Sequence, residues 1–264
     1  GTGAVSWLTY AFRLMYLPLG VFGVSIATAA LPVLSRYAAL DELHHLRRTI
    51  SHALRLMLMF MVPAVVGLTV LAVPIVRLIF ERGNFTPADT QATALALACY
   101  APGIIGYAAV RIMVPSFYAL GTSMTPALVA IGSVGLNIVL NLLLVRVMGY
   151  PGLALGSAIA ALSNSALLLV LLRRRLDGLE ITKIMKSFAL ITASAVLMGV
   201  ALWQIDQWFE TLWPAAGSGL QIVIVGSEVV AGLVVLALSA RLLGVSEFNQ
   251  TVTSLAGRLW RRNQ

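Results

Sequence analysis

The chain has 264 residues, of which 59% are hydrophobic and 11% are charged, and its formal net charge is +8. Soluble domains average about 45–50% apolar and 25% charged residues, so this composition excludes an ordinary soluble protein. We predict an all-α integral membrane protein. A positive net charge could suggest a nucleic-acid partner. The basic residues occupy alternate loops between apolar segments, however, so no nucleic-acid partner is expected.

Apolar runs of about 20 residues or more each predict one helical crossing of a bilayer. Seven such runs follow one another along the chain. The first is expected to be interrupted by Pro18 and Gly20, and the second to be kinked by Pro63 and Pro74. The predicted spans are about 5–34, 52–80, 92–118, 126–148, 153–172, 188–208 and 220–243.

The segments that connect these spans also predict local structure. Residues 37–51 have helical spacing and charges of both signs, which predicts a short helix at the membrane surface. Asp89 or Thr90 is expected to cap the third span. Residues 204–219 are expected to form a polar, Trp-rich loop, and residues 245–264 an amphipathic cytoplasmic tail.

The basic residues predict the orientation of the chain. Cytoplasmic loops of membrane proteins carry an excess of Lys and Arg, and thirteen of the 18 basic residues fall on one predicted side. We therefore expect residues 37–51, residues 173–187 and the C-terminus to be cytoplasmic. The thirteen are Arg36, Arg47, Arg48, Arg55, Arg173, Arg174, Arg175, Lys183, Lys186, Arg241, Arg258, Arg261 and Arg262.

Two arginines remain inside predicted spans. Arg13 precedes Pro18, and an ionisable group at membrane depth usually lines a pathway. Its guanidinium can bind an anionic substrate group such as a phosphate, or it can pair with a buried carboxylate or snorkel outward. Arg111 lies in the third span, where it is either a second cavity cation or a snorkelling side chain.

Three further polar residues lie inside spans. Glu228 in the seventh span is a candidate proton-coupling group or a partner of an arginine, or it hydrogen-bonds to a neighbouring helix. Asn137 and Asn141 share one face of the fourth span, where they can line a cavity, contribute to a cation site, or join packed helices.

Nothing in the sequence predicts catalysis by an enzyme, a cofactor or a metal site. The three histidines have no second set of ligands, and the single Cys99 is expected to be a small buried hydrophobe. The chain opens at Gly1 within an apolar segment, without a start methionine or signal peptide. We expect it to be the C-terminal half of a longer transporter.

Three stretches in order resemble one known family, the MurJ/MviN lipid II flippases of bacterial peptidoglycan synthesis. GAVSWLTYAFRLMYLPLGVFGVSIATAALPVLSR at residues 3–36 is similar to a family pattern that contains Y-A-x-R-L and LP-x-LS. FERGNFTPADT at 80–90 and PSFYALGTSMTPALVA at 115–130 resemble two further family motifs. The similarity extends over essentially the whole chain and weakens after about residue 176.

The resemblance implies fourteen transmembrane helices in two lobes around a central cavity, with this chain similar to helices eight to fourteen. It implies transport by alternating access. It implies that Arg13 corresponds to the family's cavity arginine, which holds the lipid's diphosphate and sugar head. It also implies that the last two helices form a groove for the polyprenyl tail. The expected partners are lipid II, membrane lipids and the missing N-terminal half, in the bacterial cytoplasmic membrane. The expected division is residues 1–176 as most of a lobe, 177–244 as two additional helices and 245–264 as the tail.

The sequence departs from the family pattern at two positions. Phe12 stands before Arg13 where many members have Asp, and Ser123 stands where an acidic residue is common. Loss of that carboxylate is expected to leave Arg13 freer to bind an anion or to change its orientation. Because the family's other cavity arginines belong to the first lobe, the isolated chain is expected not to flip lipid alone. The alternatives are an exporter of another polyprenyl-diphosphate saccharide or drug in the same superfamily, and a non-transporting membrane scaffold.

Overall fold

A computed structural model describes residues 3–213, 218–245 and 247–248 of the chain. The described residues form an all-helical bundle, as the composition predicted. Its helices are α1 (Ala4–Pro18), α2 (Val24–Ala39), α3 (Leu43–Val70), α4 (Ala72–Phe80), α5 (Pro87–Tyr100), α6 (Gly103–Ala119), α7 (Met124–Met148), α8 (Tyr150–Arg175), α9 (Ile181–Leu212) and α10 (Ser218–Leu242).

The first span stays helical throughout, so Pro18 and Gly20 mark an interruption of its α-helical hydrogen bonding but not a break into two separate helices. A π-helical turn, Leu19–Gly23, joins α1 to α2. Proline removes one backbone donor from the helical ladder, and a π turn absorbs this defect by inserting a residue without ending the helix. The combined helix Ala4–Ala39 is 36 residues long.

The surface helix predicted for residues 37–51 does not form as a separate element. Its second half is the beginning of α3, which runs without a break into the apolar span, and Pro63 lies within that helix. The helix ends instead at Leu71, where α4 begins with Pro74 in its first turn. Charged residues at 42–48 misled the prediction, because a helix that projects beyond the bilayer can carry charges on its first turns.

The third span is bent. α5 and α6 meet at residues 101–102 with an angle of 43° between them. Neither Asp89 nor Thr90 caps α5; the N-cap is Thr86, whose Oγ1 accepts from the backbone N–H of Asp89. The Asp89 carboxylate in turn accepts from the backbone N–H of Thr86 at 2.8 Å, which completes a capping box.

The remaining spans agree with the sequence. Counting the bent pair as one, the described residues contain seven segments long and apolar enough to cross a membrane. α9 extends to Leu212, so most of the predicted loop at 204–219 is helical, while residues 214–217 lie outside the described part. The tail predicted for 245–264 also lies outside it, except for residues 245, 247 and 248.

The main hydrophobic core lies among α1 to α6 and α8. Its largest fully buried side chains include Phe117, Met15 and Leu97. α6 and α8 approach so closely that a Cβ on Gly106 would lie 2.6 Å from the backbone of Ala161. α9 and α10 pack on this core through two smaller clusters, which include Val62, Ile191, Ala195 and Ala240 in one and Leu71, Met198 and Leu202 in the other.

Contacts between distant residues define the two ends of the bundle. At one end the Trp7 indole donates to Asp89 at 2.8 Å and its ring lies 5.1 Å from that of Tyr150. At the opposite end Arg55 pairs with Glu247, which also accepts from the Ser187 hydroxyl at 3.1 Å. We call this second end the basic end, because it gathers the described members of the thirteen basic residues. There a hydrogen bond from Lys183 lowers the pKa of the Glu180 carboxyl.

Candidate functional site

Arg13 lies on the face of the first span that points away from the core. The opposite face of α1 carries the buried residues Ala11, Leu14 and Met15. Exposed small polar residues recur along the first span on both sides of the π turn. We call this row the polar stripe; it consists of Ser6, Thr9, Arg13, Ser25, Thr28 and Ser35.

Three of the five hydroxyls of the polar stripe, those of Thr9, Ser25 and Thr28, donate to carbonyls of their own helix. Thr9 donates to the carbonyl of Val5 at 2.7 Å, and Ser25 donates to that of Val21 at 2.6 Å. They therefore add polar surface without needing a partner from another helix. Such a face tolerates water beside it, whereas a purely apolar face favours lipid.

Arg13 forms no ion pair or hydrogen bond with any other described residue, and it is exposed. The structure therefore excludes one of the alternatives, a lock between Arg13 and a carboxylate within the described part of this chain. Arg13 also lines none of five well-formed cavities among the described residues. The five N–H donors of its guanidinium remain available to an anion approaching from outside the bundle.

An aromatic cluster flanks Arg13. The Phe12 ring lies 4.7 Å from Tyr16 and 5.7 Å from Tyr100, and Tyr16 lies 6.2 Å from Tyr107 on α6. Phe12 thus fills an aromatic contact between α1 and the α5–α6 bend. This packing helps to hold α1 in place.

Arg111 lies one helical turn beyond Tyr107 and packs at the π turn. Its Cδ would be 3.6 Å from a Cβ on Gly23, so its aliphatic stem crosses that glycine. The side chain is half-buried and, within the described part of the chain, makes no ion pair. Gly23 is ten residues after Arg13, which places the two arginines about 15 Å apart along the first span.

Asn137 and Asn141 lie between α7 and α8. Asn137 Nδ2 donates to the Ser157 hydroxyl at 3.3 Å, and Asn141 Nδ2 donates to Asn137 Oδ1 at 3.1 Å. Asn141 Oδ1 rests against Gly156 and has no hydrogen-bond partner among the described residues. The bond from Asn137 to Ser157 joins α7 to α8, as the packing alternative required, whereas the bond from Asn141 to Asn137 lies within α7.

Glu228 does not belong to the first span, which carries the polar stripe. It lies on α10 and is fully buried, with neither carboxylate oxygen hydrogen-bonded to another described residue. The nearest titratable groups that act on it electrostatically are Asp206 and Glu210 of α9. The structure therefore divides the predicted site residues among three places: the first span with α6, the α7–α8 interface, and the α9–α10 end.

The described residues contain no group of three or more His, Cys, Asp or Glu placed to hold a metal ion. Cys99 is half-buried and forms no disulfide there.

Two features were missed by reasoning from the sequence. The polar stripe was visible as Ser6, Thr9 and Arg13 at helical spacing, but the π turn shifts the phase by one residue and hides its continuation in α2. The acidic pair Asp206 and Glu210 is spaced i, i+4 and lay in a segment predicted as a loop.

Comparison with known proteins agrees with the fold and with the motifs. The family model for lipid II flippase MurJ matches residues 1–224. A probable lipid II flippase MurJ of Vibrio cholerae is 34% identical over 242 residues, covering 90% of this chain and 46% of the relative. One of Rickettsia prowazekii is 31% identical over 250 residues, covering 94% of this chain and 49% of the relative.

A solved structure agrees as well. It is titled lipid II flippase MurJ, inward closed conformation, and superposes with a TM-score of 0.71 at 26% identity, covering 92% of this chain and 48% of that one. The chain thus spans about half the length of the relatives that it matches. The family model covers most of the sequence, and the bundle matches a solved member, so this chain belongs to the lipid II flippase MurJ family.

Proposed function

We propose that this chain is the C-terminal portion of a flippase that moves lipid II across the bacterial cytoplasmic membrane by alternating access. Its relatives are named lipid II flippases, and they are about twice as long as this chain. The observation that carries the proposal is Arg13, which has no ion-pair partner among the described residues and lies on an exposed polar stripe within an otherwise apolar span. We further propose that the other lobe of the transporter closes a water-filled cavity over this stripe.

The proposed role of Arg13 follows from the cost of moving a diphosphate through hydrocarbon. An ion loses its hydration there, and the loss is prohibitive unless fixed polar groups replace the water. A guanidinium offers two parallel N–H donors that match two phosphate oxygens. Arg13 has no competing carboxylate within the described residues, so it can exchange water for diphosphate without breaking an ion pair.

Arg111 is proposed as a second cation for the same head group. It lies about 15 Å further along the first span by the helical rise, beside the π turn. A head group that leaves Arg13 during transport would meet this second guanidinium before it reaches the far end of the cavity. Asn137 and Asn141 are assigned to helix packing in this proposal, because Asn137 bonds to Ser157 of α8, and Asn141 bonds to Asn137 and lies against Gly156.

The prenyl tail is proposed to lie against α9 and α10. An apolar cavity of about 270 Å³ runs between these helices, α3 and the π turn, and it is lined by residues such as Phe22, Phe60, Met198 and Leu233. α9 and α10 also pack on the rest through their own small clusters. Both facts support residues 1–176 as most of a lobe and 177–244 as an added pair of helices.

The basic end is proposed to be cytoplasmic, which also places the C-terminus there. The support is the positive-inside rule, since basic loops are retained on the cytoplasmic side. The bundle gathers Arg47, Arg48, Arg55 and Arg173–Arg175 at that end. The proposed partners are therefore lipid II and membrane lipids, together with the N-terminal lobe of the transporter.

The test is replacement of Arg13 by alanine in the full-length protein. We expect Arg13→Ala to abolish growth of a strain depleted of its own flippase, because the diphosphate loses its cation. Arg146→Ala is the matched control, since Arg146 is an exposed arginine near the end of α7 and off the polar stripe, and it should support normal growth. Immunoblots of membranes establish that both variants accumulate equally. Normal growth of Arg13→Ala at wild-type protein levels would refute the substrate role.

A further inference from the structure

A polar cavity opens at the end of the bundle where α9 ends and α10 begins. Its volume is about 370 Å³, and it lies between the C-terminal ends of α4 and α9 and the first turns of α5 and α10. None of its lining residues belongs to the polar stripe, which lies on α1 and α2. Its charged lining consists of Arg77, Glu81, Asp206 and Glu210.

The charges in this cavity do not balance. Arg77 is its single cation among the described residues, and it is shared between Glu81 and Glu210, at 3.9 Å from each. Glu81 also accepts a hydrogen bond from the Thr90 hydroxyl. Asp206 is in neither ion pair, so the cavity carries an excess of negative charge that attracts cations from solution.

Glu228 lies one turn deeper than this cavity. Gln221, Ile224 and Val225 of α10 line it, and Glu228 follows at i+7, i+4 and i+3 on the same helical face. It is 0% exposed, and both of its oxygens lack a hydrogen-bond partner among the described residues. Its electrostatic neighbours Asp206 and Glu210 line the cavity above it, so three carboxyl groups descend from the surface into the bundle.

An ionised carboxylate in this position has no stabilising partner among the described residues. Burial without a partner strongly disfavours the charged form, and the nearby carboxylates disfavour it further. α4 contributes Arg77, which is already paired, and α3 contributes apolar residues at this depth. No group of three or more His, Cys, Asp or Glu is arranged for a metal among residues 3–213, 218–245 and 247–248. A proton neutralises such a carboxylate without requiring any further protein ligand.

The surroundings of Glu228 toward the basic end are apolar. One turn further along α10, Gly232 lies against the Leu202 side chain, so that a Cβ on Gly232 would lie 3.1 Å from Leu202 Cδ2. Leu71 and Met198 complete an apolar layer with Leu202 below the carboxyl group. Glu228 thus has polar surroundings on one side only, and that side is the cavity.

We propose that Glu228 is a proton-binding site that exchanges with solvent at the α9–α10 end through this cavity. A hydronium ion gives its proton to the carboxylate of Glu210 or Asp206, which passes it through water to a Glu228 oxygen. The product is a neutral carboxylic acid, and the reverse transfer returns the proton to solvent. The inference does not depend on the transported substrate, and it is tested apart from transport.

The first test is infrared spectroscopy of the full-length protein in lipid nanodiscs. We expect the wild type at neutral pH to show the C=O stretch of a protonated carboxyl group that Glu228→Gln lacks. An unchanged spectrum would mean that Glu228 is ionised and would overturn the proposal. If the band is absent in sodium buffer and appears when sodium is removed, a sodium ion is the ligand and the proton assignment is wrong.

The second test measures access. Transfer into D₂O shifts the band of an exchangeable carboxyl group, and Ile224→Trp should slow this shift at least tenfold because the indole fills the cavity. Val223→Trp is the matched control, since Val223 is an exposed neighbour on the same helix, and it should exchange at the wild-type rate. Equal rates in all three proteins, or no exchange in the wild type, would overturn the proposed path. If Ile224→Trp does not yield a monodisperse protein, the isosteric pair Asp206→Asn and Glu210→Gln should slow exchange instead.

Discussion

Two exposed surfaces of this bundle differ in chemistry, although both belong to helices long enough to cross a membrane. The polar stripe of α1 and α2 carries a guanidinium and five hydroxyl groups. Between Leu128 and Leu143, the exposed side chains of α7 are all aliphatic. They include Leu128, Ile131, Val134, Ile138 and Leu142.

This difference in side-chain chemistry indicates which of the two surfaces contacts lipid. Hydrocarbon accepts aliphatic side chains without cost but cannot hydrate a guanidinium, so the face of α7 suits acyl chains and the polar stripe suits water or another protein. Exposure alone does not distinguish the two surfaces, since both are uncovered in this chain. The chemistry of the uncovered side chains does.

Cysteine labelling is the strongest test of whether water reaches the polar stripe while lipid covers α7. In full-length protein with Cys99, the chain's single cysteine, replaced by alanine, Ser25→Cys should react with a membrane-impermeant maleimide because water reaches the polar stripe. Val134→Cys, which is 61% exposed in the structure, should remain unlabelled because lipid covers it. Labelling is read as a mass shift on gels, and labelling after denaturation gives the total of each cysteine. Equal reactivity of the two cysteines would remove the distinction between the surfaces.

A second prediction compares a charge on each surface. Leu17 flanks Arg13 and is 60% exposed, and Ile138 on α7 is 55% exposed, so the pair is closely matched. Ile138→Arg should destabilise the folded protein by about 2.5–3.5 kcal/mol, the cost of an arginine at the centre of a lipid-facing helix. Leu17→Arg should cost much less, because its guanidinium stays hydrated.

The measurement for this pair is the midpoint of thermal unfolding by fluorescence-detected size exclusion. A loss for Leu17→Arg as large as that for Ile138→Arg would show that the first span faces lipid. Leu17→Gln serves as a control for repulsion between the new arginine and Arg13.

A third prediction contrasts the exposed face of α7 with the packed crossing of α6 and α8. Gly106→Ala should destabilise the protein by about 1–3 kcal/mol, because the new methyl group meets the α8 backbone and must displace it. Gly135→Ala on α7 meets nothing within 4 Å, and should be neutral or stabilising by up to about 1 kcal/mol through its better helix propensity. Unfolding midpoints of the two variants are compared directly. If Gly106→Ala does not lower the unfolding midpoint, α6 and α8 can move apart at this crossing.

The sequence predicted the number of spans and the gathering of the basic residues at one end, because length and charge are properties of each segment alone. It did not predict the π turn, the joining of residues 43–51 to α3, or Thr86 as the cap of α5. Each of these depends on local hydrogen bonding that several residue types can satisfy. Pro18 was interpreted as a break, whereas the neighbouring turn absorbed it.

Part of the candidate sites could likewise be predicted from the sequence, and part could not. Arg13 was found from the sequence because a lone cation in an apolar run is conspicuous whatever surrounds it. The aromatic contact of Phe12 with Tyr100, and the placement of Asp206 above Glu228, join residues from separate helices. No spacing in the sequence reports such neighbours.

By itself, the sequence determined that this is a multi-span membrane protein with one charged end and an isolated arginine in its first span. Only the tertiary structure decided that Arg13 lies on an uncovered face without a carboxylate partner among the described residues, and that Glu228 lies beneath an acidic cavity. The reason is physical: a helix that is apolar on nearly every side has no amphipathic face to show which side packs. Its rotation about its own axis is therefore set by the shapes of its neighbours.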